Sequence, residues 1–133
     1  MRQTALLVFL LPVLGAISIY AAHNYVGEVV VLHTTDNSGR SYETKLWVLE
    51  DGHQLWVRSE RPTSPWLDRV VRNPSVNLER NLNLKEYRAT PLSHRRDRIN
   101  SLMAERYHWA DWLLGFVEDR EDAIPVRLDP FVS

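Results

Sequence analysis

The 133-residue chain contains no cysteine. That excludes a disulfide framework, a zinc–thiolate centre and a cysteine nucleophile. Glycine is scarce, with five residues, and Gly39 and Gly52 stand too far apart to build a glycine-rich phosphate cradle. Neither sign of charge is in excess. Sixteen Lys and Arg against 17 Asp and Glu give a formal charge of −1, which excludes the concentrated basic surface of a general nucleic-acid binder. No nucleophile elbow, zincin helix or P-loop occurs. His23, His33, His53, His94 and His108 share no metal-ligand spacing with one another or with a carboxylate, so no metal site is expected.

One long uncharged run is present. Ala5 to Ala22, ALLVFLLPVLGAISIYAA, would span roughly 27 Å as a helix, close to the hydrocarbon thickness of a bilayer. Pro12 and Gly15 are tolerated in such helices. A cleaved secretory leader is the competing reading, but Ile19 or Tyr20 would then stand where a small residue is needed before the cleavage site. Residues 1–22 therefore read as an N-terminal transmembrane anchor, 23–26 as a linker and 27–133 as one domain. Arg2 before the span and Glu28 after it place that domain outside the cytoplasm by the positive-inside rule.

The domain is organised around Tyr42 to Trp66, YETKLWVLEDGHQLWVRSERPTSPW. Asp51-Gly52 suits a two-residue hairpin loop with positive φ. The register that follows sets Glu50 opposite His53, Val48 opposite Leu55, Leu46 opposite Val57 and Thr44 opposite Ser59, an apolar core face. The other face then pairs Trp47 with Trp56 and Lys45 with Arg58. Two cations directly opposite repel, and an anion between them would reverse the sign. Alternatively, Lys45 and Arg58 splay beside Glu43 and Glu60 while the tryptophans fill a core or a subunit interface. Ser64-Pro65 predicts a helix start. Its positive end, near Arg58, Ser59, Arg61, Thr63 and Ser64, favours a phosphate.

Elsewhere, Gly27 to Thr35 reads as a strand apolar on both faces, and Asp36 to Gly39 as a turn. A helix is expected over 65–72, closed by Asn73-Pro74. Strands follow over 75–80 and 84–90 around a polar turn at Asn81 to Asn83. A helix from Arg95 to about Trp109, capped by Ser93, would set Ile99, Leu102, Met103 and Arg106 on one side, with a further helical segment to Val117. Trp109, Trp112 and Phe116 recur at helical spacing for packing or for a membrane surface. Tyr87 and Tyr107 are possible hydrogen-bond donors to a ligand. Ile124, Val126 and Leu128 alternate in a last strand, which Pro125 assigns to an edge. The sum is an α+β, mainly β class: a small antiparallel barrel with peripheral helices.

The order of these motifs resembles the split β-barrel superfamily of flavin- and deazaflavin-binding proteins, in its nitroreductase/quinone-reductase branch with the pyridoxamine-phosphate-oxidase-like fold. The likeness rests on Thr34-Thr35, Ser38-Gly39-Arg40, the strand Thr44 to Val48, Asp51-Gly52, Leu55 to Ser59, Pro65-Trp66 and Asn73-Pro74. It implies a homodimer holding FMN or a deazaflavin in a groove between subunits. It nominates Arg40, Lys45, Arg58, Ser59, Arg61 and Ser64 for the phosphate, with Trp47, Trp56 or Trp66 flanking the ring. The cofactor would carry the chemistry, hydride or electron transfer to a small organic acceptor such as a quinone or nitro compound. The other reading is a non-catalytic, membrane-anchored barrel for dimerisation or partner binding.

Overall fold

A computed structural model describes residues 28–115 and 120–131. The expected anchor and linker lie outside these residues. Strand β1 (Val29–Thr35) and β2 (Ser41–Trp47) form the first hairpin. Val30, Leu32 and Thr34 are buried while Val29 is exposed and the remainder half-buried, so β1 is covered on one face rather than both. Asp36 builds the connecting turn. Its Oδ1 accepts the backbone N–H groups of Ser38 and Arg40 at 2.9 and 3.0 Å and the Ser38 hydroxyl at 2.7 Å. Tyr42 donates its hydroxyl to Oδ2 at 3.1 Å. Gly39 closes the turn at φ +86°, a conformation that glycine adopts without steric cost.

The chain then changes partner within one residue. Trp47 is still level with Val29 on β1, and the Val48 N–H donates to the Glu28 carbonyl at 3.2 Å. Leu49 is already level with Trp56, so β3 (Leu49–Asp51) pairs with β4 (Gln54–Ser59) instead. The loop is Gly52-His53, with Gly52 at φ +63°, one residue later than expected. Asp51 faces Gln54 and Glu50 faces Leu55. The expected pairs Lys45–Arg58 and Trp47–Trp56 therefore do not form. Lys45 is level with Val31 and Trp56 with Leu49.

Helix α1 (Pro65–Arg72) buries Trp66, Leu67 and Val70 and ends on Asn73. It is tied to the first hairpin by Arg69, whose Nε donates to buried Thr34 at 2.8 Å and whose guanidinium lies 4.1 Å from the Tyr42 ring centroid. Strands β5 (Ser75–Arg80) and β6 (Asn83–Pro91) flank a two-residue turn in which Asn81 and Leu82 both have positive φ. A 3₁₀ turn at Ser93–Arg95 precedes α2 (Arg96–Gly115), so Ser93 opens that turn rather than capping the helix. Ile99, Met103 and Tyr107 are buried and Leu102 is half-buried. Arg106 is exposed rather than on the buried side, its guanidinium 5.5 Å from the Tyr107 ring centroid. Strand β7 (Ile124–Pro130) lies between β6 and β4, so Pro125 sits in an interior strand and not at an edge. The Pro125 carbonyl is used, accepting the Leu92 N–H at 2.9 Å.

The described strands form one antiparallel sheet in the order β2-β1-β5-β6-β7-β4-β3. Since β2 and β3 are halves of one bent strand, the two ends of this sheet are joined covalently, and the sheet must curl into a barrel split between β2 and β4. The larger core, with Leu32, Val57, Val76, Leu78, Val126 and α1, fills it. A second cluster, Leu49, Trp56, Ile99, Met103 and Tyr107, packs under α2.

Two outcomes follow from the turns. The Ser38 hydroxyl, with the backbone N–H groups, lowers the Asp36 pKa to about 2. A depressed carboxyl stabilises the fold fully above its unfolded value, near pH 4, and loses that contribution as pH falls through the folded value. NMR titration of the Asp36 carboxyl should give a midpoint near 2, with exchange protection of Ser38 and Arg40 fading in step; a midpoint near 4 contradicts the turn. At the β5–β6 turn, Leu82→Gly relieves a left-handed leucine and should raise stability in urea by about 0.5–1 kcal/mol. A loss of stability would show that Leu82 makes an intramolecular contact.

Candidate functional site

Where β2 departs from β4, the sheet leaves a cavity of about 480 Å³ lined by Val29, Lys45, Leu46, Trp47, Arg58, Glu60, Arg61, Ser64, Trp66 and Met103. Volume in this range suits a small cofactor. Its walls come from four elements. The β1–β2 hairpin supplies Lys45 and Trp47, β4 and its connector supply Arg58, Glu60, Arg61 and Ser64, α1 supplies Trp66 and α2 supplies Met103.

Helix α2 fastens the bend that opens the cavity. The Tyr107 hydroxyl donates to the Val48 carbonyl, and burial raises the pKa of this phenol. Its ring stacks on Trp47, centroids 4.8 Å apart and planes 11° from parallel. One face of the Trp47 indole is thus already covered, and any ligand ring meets it at the opposite face or the edge. Tyr107 is a structural clamp rather than a donor to a ligand.

The cations of the cavity are not equivalent. Arg58 is 5 % exposed. Its Nε and Nη2 donate to Glu60 Oε1 at 3.3 and 3.1 Å, and its Nη1 donates to Asn100 Oδ1 at 3.2 Å. A buried arginine needs such compensation, and Glu60, two positions along the same strand direction, lies on the same side. Lys45 and Arg61 are exposed and have no ion-pair partner among the described residues. The lining therefore carries a formal surplus of two positive charges, Lys45, Arg58 and Arg61 against Glu60.

Of the nine residues singled out from sequence, Lys45, Trp47, Arg58, Arg61, Ser64 and Trp66 meet at this cavity. Three do not line it. Arg40 belongs to the first turn, with its guanidinium 5.4 Å from the Tyr42 ring centroid. Trp56 is buried with the α2 cluster, its indole N–H without a hydrogen-bond partner. Ser59 is buried, its hydroxyl 2.6 Å from both the Arg61 carbonyl and Ser64 Oγ. That turn also absorbs Ser64, which makes no side-chain cap to α1. Tyr87 packs on the main core beneath Lys85. Val29, Glu60, Asn100 and Met103 were not singled out for the site. Glu60 was legible as the acid beside Arg58, whereas nothing local to Asn100 connects it with a strand 42 positions away. Among the described residues no group of side chains is arranged to hold a metal.

No protein-family model matches the chain, and no curated protein does. Solved structures do. A candidate pyridoxamine 5′-phosphate oxidase from Listeria innocua aligns at a TM-score of 0.61 with 20 % identity, over 89 % of this chain and 92 % of the other. HutZ, the haem storage protein from Vibrio cholerae, aligns at 0.62 with 16 % identity over 90 % of both chains. An F420 reductase aligns at 0.57 with 14 % identity, over 82 % of this chain and 90 % of the other. At these identities the likeness is one of fold, and it agrees with the strand order and the split described above. The chain is a split β-barrel with the pyridoxamine-phosphate-oxidase-like fold.

Proposed function

We propose that the cavity between β2 and β4 binds FMN or a deazaflavin and that the protein is an oxidoreductase acting on a small organic acceptor such as a quinone or nitro compound. The observation that carries this reading is the cavity lining: two cations with no ion-pair partner among the described residues, Lys45 and Arg61, beside the indoles of Trp47 and Trp66. Such a set matches a ligand with an anionic tail and a flat ring. The fold likeness to an F420 reductase supports it.

In this reading Lys45 and Arg61 hold the phosphate, with Ser64 beside them, and the free edge of Trp47 and the Trp66 indole confine the ring. Arg58 acts differently. Its charge is shared with Glu60, so it orients that side of the cavity and contributes a weaker pull on an anion than its position alone implies. Bound cofactor would supply hydride or electrons, and the protein contributes binding, orientation and exclusion of water by Trp66 and Met103. A homodimer, with the cavity completed by the second subunit, is part of this proposal.

The Arg58–Glu60 pair favours a second reading, since it removes one cation from phosphate binding. On that reading the protein is a non-catalytic, membrane-anchored module for dimerisation or partner binding.

Affinity separates the two. Titration of the full-length protein with FMN or a deazaflavin, followed by fluorescence, should show a Kd that rises in Lys45→Ala and Arg61→Ala. A charge-assisted bond contributes about 1.5–3 kcal/mol, so each variant should lose on the order of tenfold or more. Unchanged affinity in a folded double variant sinks the assignment. Glu60→Gln should tighten binding, because it removes the one negative charge of the cavity lining. Weaker binding in that variant would mean that Glu60 serves the ligand directly.

A further inference from the structure

The β5–β6 hairpin ends in a turn whose cost has no return within the described chain. Leu82 has φ +64°, in the left-handed region that leucine disfavours, and its side chain is 96 % exposed. Leu84, 63 % exposed, follows on the part of β6 that β7 does not reach. Asparagine or glycine at position 82 would meet the backbone requirement without holding an apolar side chain in water.

A second observation concerns where the N-terminal chain joins the domain. Glu28 accepts two bonds from Arg80, at 2.6 and 2.9 Å, and Arg80 is the last residue of β5 before the turn. In the β1–β5 register Val31 is level with Glu79; continued by one residue, that register sets Val30 level with Arg80, so Glu28 lies at the end of the sheet that carries the Asn81-Leu82 turn. Neighbouring strands are about 4.8 Å apart. Exposed Val29 is at the same end. The uncharged run Ala5–Ala22 joins Glu28 through only His23 to Gly27, a tether of at most roughly 20 Å. The end of the domain that carries the most exposed leucines among the described residues is therefore the end at which the uncharged run joins it through a short tether.

We propose that the Leu82–Leu84 hairpin tip is a second membrane contact, resting in the interfacial layer of the bilayer that Ala5–Ala22 enters. A lipid surface fits this tip better than a protein does. One leucine on the two-residue turn and a second just after it on β6 form a small wedge, whereas a stable protein interface needs on the order of 800 Å² from each partner. Beside the tip the strands carry Lys85 together with Glu79 and Glu86, with no surplus of positive charge, so the contact is apolar and requires no anionic lipid. Two contacts fix the barrel's orientation on the membrane, which a single tether of this length does not.

The absence of native cysteine makes the test direct. Leu82→Cys in the full-length chain is labelled with an environment-sensitive fluorophore and reconstituted into phosphatidylcholine liposomes containing spin-labelled lipid. Asn37→Cys, in the turn at the far end of β1, is the control, roughly 23 Å away at the rise of an extended strand. The label at position 82 should shift to the blue and be quenched by the spin-labelled lipid, while that at 37 should do neither. Protein that floats with the liposomes but leaves position 82 unquenched overturns the hairpin contact and leaves the anchor standing. Protein that does not float overturns both. A blue shift that spin-labelled lipid does not quench and that grows with protein concentration overturns the proposal in favour of a second copy.

Discussion

The partner switch at Val48 is the constraint on which the rest of the structure depends. Had the strand from Ser41 to Asp51 stayed on one neighbour, the chain would form a simple meander with two open edges. Instead its first half closes one edge of the sheet and its second half closes the other. The covalent continuity of one strand then forces curvature, and the divergence at the bend creates the cavity. Helix α2 serves this geometry. Tyr107 secures the carbonyl of the bent residue and stacks on the residue before it, while Met103 from the same helix closes the cavity wall. Burial of the phenol keeps the donor protonated, so the clamp persists through the neutral range.

The electrostatics of the cavity follow from depth. Arg58, deep in the barrel, cannot be left uncompensated, and Glu60 and Asn100 satisfy it. Lys45 and Arg61, at the mouth, remain solvated and available at little desolvation cost. The site is therefore stratified: a neutralised inner pair that shapes the wall, and outer cations that can meet an anion. A phosphate drawn to such a mouth would leave the attached ring facing inward, where Trp47, Leu46, Trp66 and Met103 supply apolar surface.

Much of this was legible in the sequence because local chemistry decided it. The Asp36 turn, the Pro65 helix start, the Asn73 stop and the alternation of Val126 and Leu128 all came out as read. The register of the central hairpin did not, because a loop dipeptide fixes pairing only if both arms stay together. The signal was present in Leu46-Trp47-Val48-Leu49, four apolar residues in succession that break the period of two where the strand changes neighbour. Pro125 misled for a related reason: an interior position requires only that its missing N–H not be needed, and the composition of β7 cannot say which strands lie beside it. Six of the nine candidate residues line one cavity despite the register error. The mispaired Lys45 and Arg58 come together across the split rather than across a ladder, whereas Trp56, on the face covered by α2, is lost to the core.

The central claim is that the bend at Val48 opens a cofactor site, and its most direct test is the absorbance spectrum of full-length protein purified in detergent from a host that makes both flavins and deazaflavins. The account predicts a bound yellow chromophore whose mass, after release, is that of FMN or a deazaflavin. A colourless protein that also fails to take up either compound when it is added would contradict it.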